Sequence, residues 1–255
     1  MKYLLAAATD VGLRKETNQD SVLIKRALCD EKQIVFAVVC DGMGGLEKGE
    51  LASASLVKAF SKWFEQELPI IFSSQNREAQ LLNSWDRLIK EMNYKIGIYG
   101  TDKKIRLGST LTAILFLSEE YYIAHVGDSR VYELHEYTIQ LTKDQTLVQR
   151  EVDEGILTLE EAEKDRRRSI LLQCVGSTEE VIPVYLKGKT EKDAVYVLCS
   201  DGFCHMIDEN EIYHNLKPEI MQEEKDMESN IRKLIQMIKE RGEQDNISAI
   251  AIRTW

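Results

Sequence analysis

Aspartates stand at the edges of one apolar, strand-like segment after another in this sequence. Three such segments end at Asp41, Asp128 and Asp201, and two others begin just after Asp20 and Asp245. A single aspartate at a strand end is a common turn signal. Five together predict more, because the ends of strands in one sheet system can converge on one edge. Carboxylates brought together repel one another unless cations neutralise them, so the pattern predicts a cation site.

The ligand chemistry narrows the choice of cation. Hard carboxylate oxygens, with no His or Cys expected nearby, favour Mg²⁺, Mn²⁺ or Ca²⁺ over zinc. Asp41 is followed by the glycine-rich stretch Gly42–Gly45. Glycines let the backbone approach closely, so a peptide carbonyl such as that of Gly42 is a candidate additional ligand.

The remaining sequence predicts antiparallel sheets covered by helices. Apolar residues at helical spacing predict helices over residues 51–68, 81–98 and 227–238. Short turns between neighbouring apolar runs favour antiparallel pairing over crossover connections, which makes the expected class α+β. The runs predict strands at residues 1–8, 34–40, 111–117, 121–126, 131–134, 194–199 and 247–252.

Composition excludes several classes of protein. The 255 residues carry 33 basic and 43 acidic side chains, a net charge of −10, which argues against a nucleic-acid partner. The five cysteines include no CxxC pair, so neither a zinc knuckle nor a disulfide framework is expected, and a reducing, cytoplasmic setting fits best. No stretch approaches the roughly 20 apolar residues of a membrane span, and the apolar start is too short for a secretory leader.

Six motifs, in this order and spacing, resemble the metal-dependent Ser/Thr protein phosphatase family (PPM, type 2C) in its short bacterial form. The resemblance runs from about residue 3 to residue 252. The motifs are TDVG with NQD (residues 9–12 and 18–20), VCDGMGG (39–45), GSTLT (108–112), VGDSR (126–130), SDG (200–202) and DNIS (245–248).

The resemblance implies a fold and a metal centre. The fold would be one phosphatase domain over residues 1–255, with a central antiparallel β-sandwich flanked by pairs of α-helices in four layers, and a small helical flap at about residues 143–170. The metal centre would hold two Mn²⁺ or Mg²⁺ ions and a weaker third. The implied ligands of the two core ions are Asp20, Asp41, Asp201, Asp245 and the Gly42 carbonyl, and Asp128 would join Asp201 at the third ion.

The resemblance also implies an activity. A water bridging the two core metals would hydrolyse phosphoserine and phosphothreonine on proteins, opposing Ser/Thr kinase signalling without a phosphoenzyme. The expected partners are phosphorylated proteins and a cognate Ser/Thr kinase, and the expected state is a monomer that does not associate with membranes. Met43 stands where some relatives carry a histidine acid, and its thioether cannot donate a proton. His125, Ser109 and Thr110 are expected to be structural.

The phosphate-binding residue is ambiguous in the sequence. The family's arginine stands three residues before the first-motif asparagine, which is the position of Lys15, with Arg14 one step earlier. Spacing favours Lys15, whereas chemistry favours Arg14, whose planar fork matches phosphate. In an extended segment, only one of the two could face the site.

The flap departs from the family pattern. Asp165 and Arg166 replace the family's His-Pro, while Arg168 keeps the basic position, so substrate preference is more in doubt than catalysis.

Two other interpretations compete with a phosphatase. One is a pseudophosphatase that keeps the fold as a scaffold. It is disfavoured because every expected ligand position is filled. The other is a two-metal nuclease, which the acidic composition disfavours.

Overall fold

The computed structural model describes residues 1–29, 31–43, 48–117 and 119–255. Gly44 and Gly45 of the glycine-rich motif lie outside the described residues. The strands are β1 (Tyr3–Asp10), β2 (Ser21–Cys29), β3 (Lys32–Cys40), β4 (Leu111–Leu117), β5 (Glu120–Val126), β6 (Arg130–Leu134), β7 (Thr138–Gln140), β8 (Val184–Lys189), β9 (Val195–Cys199) and β10 (Ile247–Thr254).

Helices occupy three regions of the chain. Two of those before β4 are long, whereas the helices between β7 and β8 are short. They are α1 (Gly49–Gln66), α2 (Leu68–Phe72), α3 (Arg77–Lys103), α4 (Leu147–Asp153), α5 (Leu159–Lys164), α6 (Asp201–Cys204), α7 (Glu209–Leu216) and α8 (Glu224–Glu240). Across the described residues, every helix is too short or too polar to cross a lipid bilayer.

The strands form two antiparallel sheets. One sheet has the order β1-β10-β9-β6-β7 and the other has the order β2-β3-β4-β5-β8. Sheet neighbours pair antiparallel throughout the described residues, and several are joined by short turns. The predicted antiparallel architecture is therefore confirmed. The strand that follows β5 differs from this pattern of neighbouring strands in one sheet. Although only a short turn separates it from β5, β6 does not continue the sheet of β4 and β5 but belongs to the other sheet.

A core of alternating side chains lies between the two sheets. In β3, Val35, Ala37 and Val39 point into this core, while Phe36 and Val38 point to the opposite face and pack under helices. Both faces of β3 are buried, which explains why its sequence is continuously apolar rather than alternating. The facing sheet contributes alternate residues of β9 and β10 to the same core.

Helices cover the outer face of each sheet. Helices α1 to α3 pack on the β2-β3-β4-β5-β8 sheet, and helices α6 to α8 pack on the other. The molecule thus has four layers in the order helix, sheet, sheet, helix, as the sequence predicts. The three predicted helices correspond to α1, α3 and α8. The predicted flap contains the short helices α4 and α5, each started by a threonine cap, Thr146 and Thr158.

An aromatic cluster joins the helices to β3. The ring of Phe36 lies 5.4 Å from Trp63, 5.7 Å from Phe64, 6.0 Å from Phe60 and 6.1 Å from Trp85, measured between ring centroids. Phe36 and Trp85 are fully buried. This cluster holds α1 and α3 against the strand that ends at Asp41.

Replacing Phe36 with alanine should lower the free energy of unfolding by about 3–5 kcal/mol, because it leaves a cavity among four aromatic side chains. Chemical denaturation measures this change. Leu28→Ala, on the neighbouring strand at a side chain that is 71% exposed, is the matched control and should change stability by less than about 0.5 kcal/mol. Equal losses in the two variants would contradict the described helix–sheet packing.

Candidate metal centre and phosphate pocket

Antiparallel pairing brings the aspartates to one end of the sandwich. Ser21 at the start of β2 pairs with Cys40 at the end of β3, so Asp20 and Asp41 flank the same strand ends. In the other sheet, Ala249 pairs with Cys199, which places Asp245 and Asp201 at matching ends of β10 and β9. The start of one strand lies beside the end of its neighbour, which explains why some of the aspartates precede strands and others follow them.

Hydrogen bonds tie the two sheets together beneath the aspartates. Ser200 Oγ, from the first sheet, donates to Asp20 Oδ2 of the second at 2.9 Å. The Gln19 amide donates to Asn246 Oδ1 at 2.9 Å. Within the second sheet, the Asp41 amide donates to Thr110 Oγ1 at 2.9 Å. Ser200 and Asn246 thus fix the strand ends of the two sheets relative to each other.

The clustered carboxylates carry more negative charge than the neighbouring cationic side chains balance. Burial, together with the charges of Asp201 and Asp245, raises the pKa of Asp20 to about 7. Burial, with the charges of Asp20, Asp201 and Asp128, raises the pKa of Asp41 well above its usual range. Burial and the charge of Asp201 do the same to the pKa of Asp128. All five carboxylates predicted from the sequence therefore interact in one cluster.

The donor set fits hard divalent cations. Asp20 Oδ1 and Asp201 Oδ1 are buried and have no hydrogen-bond partner among the described residues. Buried carboxylate oxygens of this kind need a cation or a proton. Within the described ranges, no three His, Cys, Asp or Glu side chains form a completed ion cage. The assignment of Asp20, Asp41, Gly42, Asp128, Asp201 and Asp245 as metal ligands stays a prediction.

Two glycines allow the close backbone approach on which this cluster depends. A Cβ on Gly42 would lie 2.5 Å from the carbonyl oxygen of Gln19, and one on Gly202 would lie 2.2 Å from that of Asn246. No side chain fits at either position without moving the neighbouring strand end. The Asp-Gly pairs are therefore required by packing as well as by turn geometry.

A cavity of about 530 Å³ opens beside Asp201 and Asp245. It is lined by Arg14, Lys15, Arg168, Ser169, Asp201, His205, Glu243, Gln244 and Asp245. Residues 11–20 form turns rather than an extended strand. The premise that neighbouring side chains must face opposite ways therefore does not hold here, and both Arg14 and Lys15 reach the cavity.

The two basic side chains have different partners. Lys15 Nζ lies 2.8 Å from Asp245 Oδ1, so its charge is balanced by a carboxylate of the cluster. Arg14 Nη1 donates to the neutral Gln244 Oε1 at 2.7 Å. Arg14 therefore keeps its charge available to a ligand in the cavity.

His205 and Glu243 complete the cavity wall, and neither residue was predicted from the sequence. His205 Nε2 lies 3.6 Å from Asp201 Oδ2, and His205 Nδ1 lies 3.6 Å from Glu243 Oε2. The expectation that no histidine stands near the carboxylates is therefore wrong. The available signal was spacing, because residues four apart share one face of a helix.

The residues expected to be structural have structural environments. His125 is buried and lies 2.9 Å from Thr112 Oγ1 and 3.1 Å from the Lys143 carbonyl oxygen, and burial lowers its pKa to about 4. Ser109 is fully buried and donates to the Thr110 carbonyl. Neither side chain is free to act on a substrate.

In the flap, an ion-pair network occupies the altered sequence. Arg167 pairs with both Glu151 and Asp165, at 2.8 and 2.7 Å. Arg167 thus links the loop at Asp165 to Glu151 of α4. Arg168 lines the cavity instead, so of the three consecutive arginines 166–168 it is the one that reaches the site.

Comparisons with known proteins agree with the fold. The family model for protein phosphatase 2C matches residues 13–250. The serine/threonine protein phosphatase PstP of Mycobacterium tuberculosis is 30% identical over 249 residues, covering 96% of this chain and 44% of that protein. A putative protein phosphatase 2C-type from Streptococcus pyogenes is 29% identical, covering 96% of this chain and 94% of that protein. The chain thus spans under half the length of PstP but nearly all of the streptococcal protein.

Structural similarity extends to a metal-loaded relative. The crystal structure of the PstP catalytic domain in complex with two manganese ions superposes with a TM-score of 0.79 at 29% identity, covering 99% of each chain. Given the four-layer sandwich, the carboxylate cluster and the family match, this chain belongs to the protein phosphatase 2C family.

In EDTA, Asp20→Asn should stabilise the protein at pH 8 by about 1 kcal/mol or more and have little effect at pH 4. The folded-state pKa of Asp20, about 7, lies above its usual value of 3.8, so its contribution to stability is lost as pH rises through that window. Denaturant unfolding at several pH values measures the difference.

Asp102→Asn, at an exposed carboxylate near the end of α3, is the matched control and should show no such pH dependence. An Asp20→Asn variant that is equally or less stable than the parent at pH 8 would contradict the uncompensated charge of the cluster.

Proposed function

We propose that this chain is a Mn²⁺- or Mg²⁺-dependent phosphatase that removes phosphate from serine and threonine of proteins. The observation that carries the proposal is the convergence of Asp20, Asp41, Asp128, Asp201 and Asp245 at one end of the sandwich, with unpartnered oxygens on Asp20 and Asp201. Membership of the protein phosphatase 2C family supports it. So do the printed names of the relatives, which are serine/threonine phosphatases.

The chain's own residues would supply the ligands and the rigid support. Asp20, Asp41, Asp201 and Asp245, with the Gly42 carbonyl, would hold two core ions, and Asp128 would join Asp201 at a weaker third. When bound, the ions supply an activated water and neutralise charge on the phosphoryl oxygens. Ser200, Thr110 and Asn246 hold the aspartates through the hydrogen bonds described above, so little reorganisation is needed during reaction.

Phosphate binding falls to the basic side chains of the cavity. Lys15 Nζ is paired with Asp245 Oδ1, and a cation bound at Asp245 would compete for that contact. Arg14 already presents its guanidinium there beside a neutral glutamine. We favour Arg14 as the principal phosphate ligand, because a guanidinium binds phosphate with two parallel hydrogen bonds.

The proposed substrates, partner kinase and compartment follow from the same proposed activity. Phosphorylated proteins are the substrates, and a Ser/Thr kinase that acts on the same proteins is the natural counterpart. We propose a monomer that works in the cytoplasm, where the cysteines of the described residues, all free thiols, stay reduced.

A turnover assay separates this proposal from a scaffold protein and from a nuclease. Mn²⁺-dependent release of phosphate from a phosphothreonine peptide, with no cleavage of single-stranded DNA, is the expected result. Folded protein that binds a phosphopeptide without turnover would indicate a pseudophosphatase, and cleavage of DNA would indicate a nuclease.

Asp41→Asn and Asp201→Asn should each lower turnover of the peptide by at least about 10²-fold at saturating Mn²⁺, because each removes a charged ligand. Asp102→Asn should retain parental turnover. Circular dichroism confirms that the variants fold. Near-normal rates in either cluster variant would overturn the metal assignment.

Arg14→Ala should raise KM for para-nitrophenyl phosphate by a factor equivalent to about 1–2 kcal/mol, with a smaller change in kcat, since it removes a ground-state contact. Lys15→Ala should raise KM less, because ion binding must first release Lys15. Arg87→Ala, at an exposed arginine on α3, controls for loss of one positive charge. If neither Arg14→Ala nor Lys15→Ala changes KM, this pair does not hold phosphate, and Arg168 is the next candidate.

A further inference from the structure

The His205 imidazole faces the carboxylate cluster from the cavity side. It stands just beyond α6, four residues after Asp201, and its side chain is 19% exposed. Nε2 lies 3.6 Å from Asp201 Oδ2. His205 also interacts electrostatically with the buried Asp128. One ring nitrogen thus lies beside Asp201, and its charge acts on Asp128, the other aspartate predicted to share the weaker ion.

The other ring nitrogen lies near a buried carboxylate. Glu243 has a side chain that is only 7% exposed, and its Oε2 lies 3.6 Å from His205 Nδ1. Its Oε1 accepts the backbone amides of Gln244 and Asp245 at 2.7 and 3.0 Å, which fixes the carboxylate. Glu243 Oε2 has no hydrogen-bond partner among the described residues, so it is available to accept from the imidazole after a small movement of the ring.

A histidine that binds a metal nearly always donates its other ring N–H to a carboxylate or carbonyl, which orients the ring. Glu243 Oε2 is the acceptor within reach of His205 for that role, at 3.6 Å from Nδ1. Neighbouring ligands of an octahedral ion, with bonds of about 2.1 Å, lie about 3 Å apart. The separation of 3.6 Å between His205 Nε2 and Asp201 Oδ2 is therefore within a small side-chain movement of a shared ion.

We infer that His205 Nε2 is a nitrogen ligand of the ion shared by Asp128 and Asp201, an inference that rests on the proposed function. The third site is then a mixed nitrogen and oxygen site rather than an all-oxygen one. An imidazole ligand favours Mn²⁺ and later transition metals over Mg²⁺. The two core ions, held by oxygen ligands alone, should discriminate less between Mn²⁺ and Mg²⁺.

Pulsed electron paramagnetic resonance of bound Mn²⁺ tests the inference without relying on activity. The full chain is loaded stepwise with Mn²⁺, and the ¹⁴N modulation from a directly bound imidazole is recorded. The modulation should appear as the third equivalent binds. It should be absent in His205→Gln and retained in His214→Gln, which makes the same change at an exposed histidine of α7.

Calorimetric titrations with Mn²⁺ and Mg²⁺ give a second measurement. His205→Gln should weaken the third Mn²⁺ by at least about 10-fold while changing the third Mg²⁺ much less, and Glu243→Gln should weaken the third Mn²⁺ by about 10-fold or more by freeing the ring. Asp128→Ala should weaken both metals at this site and leave the two tight ions in place.

Failure of the inference is distinguishable from failure of the proposed function. Absence of ¹⁴N modulation from the parent protein with three Mn²⁺ bound would overturn the nitrogen ligand, and this holds even if the His205 variants do not fold. Equal loss of Mn²⁺ and Mg²⁺ in His205→Gln would also overturn it, leaving His205 as an ion-pair partner of Asp201. Both results would leave the two tight ions and hydrolysis intact, whereas absence of tight Mn²⁺ binding and of turnover would overturn the proposed function.

Discussion

Repulsion among buried carboxylates is the constraint on which the organisation of this molecule depends. Asp20, Asp41 and Asp128 have pKa values raised by burial and by one another's charges. Such a cluster opposes folding unless the surrounding structure holds it in place. The two sheets, packed on each other through an apolar core and covered by helices on both sides, supply that support. The favourable free energy of packing in the layers offsets the unfavourable repulsion among the carboxylates at the charged edge.

The support acts through the strand ends themselves. Four of the five aspartates, all except Asp20, adjoin strands made mostly of buried residues, so they cannot move far without disturbing sheet pairing. Ser200 and Asn246 add hydrogen bonds between the sheets at this edge. Gly42 and Gly202 remove side chains that would force the strand ends apart. A rigid edge of this kind suits a site that must hold ions at fixed separation.

Side chains outside the carboxylate cluster form much of the wall of the cavity beside it. Asp165 pairs with Arg167 within the flap, while Arg168 lines the cavity. His205 lies beside Asp201, and Glu243 accepts the backbone amide of Asp245. The strand ends thus set the positions of the carboxylates, while side chains from the flap, from the end of α6 and from the segment before β10 shape their surroundings.

The sequence by itself determined the fold class, the strands and helices with the strongest apolar patterns, and the five aspartates, because periodicity and strand-end position are local properties. The edge strands β7 and β8 were not predicted, since β7 has only three residues and the mixed, charged sequence of β8 has no apolar period. Only the tertiary structure decided that β6 joins the opposite sheet, that Arg14 and Lys15 share one cavity, and that His205 meets Glu243. These depend on contacts between segments far apart in the chain, and no local pattern encodes which distant segments meet.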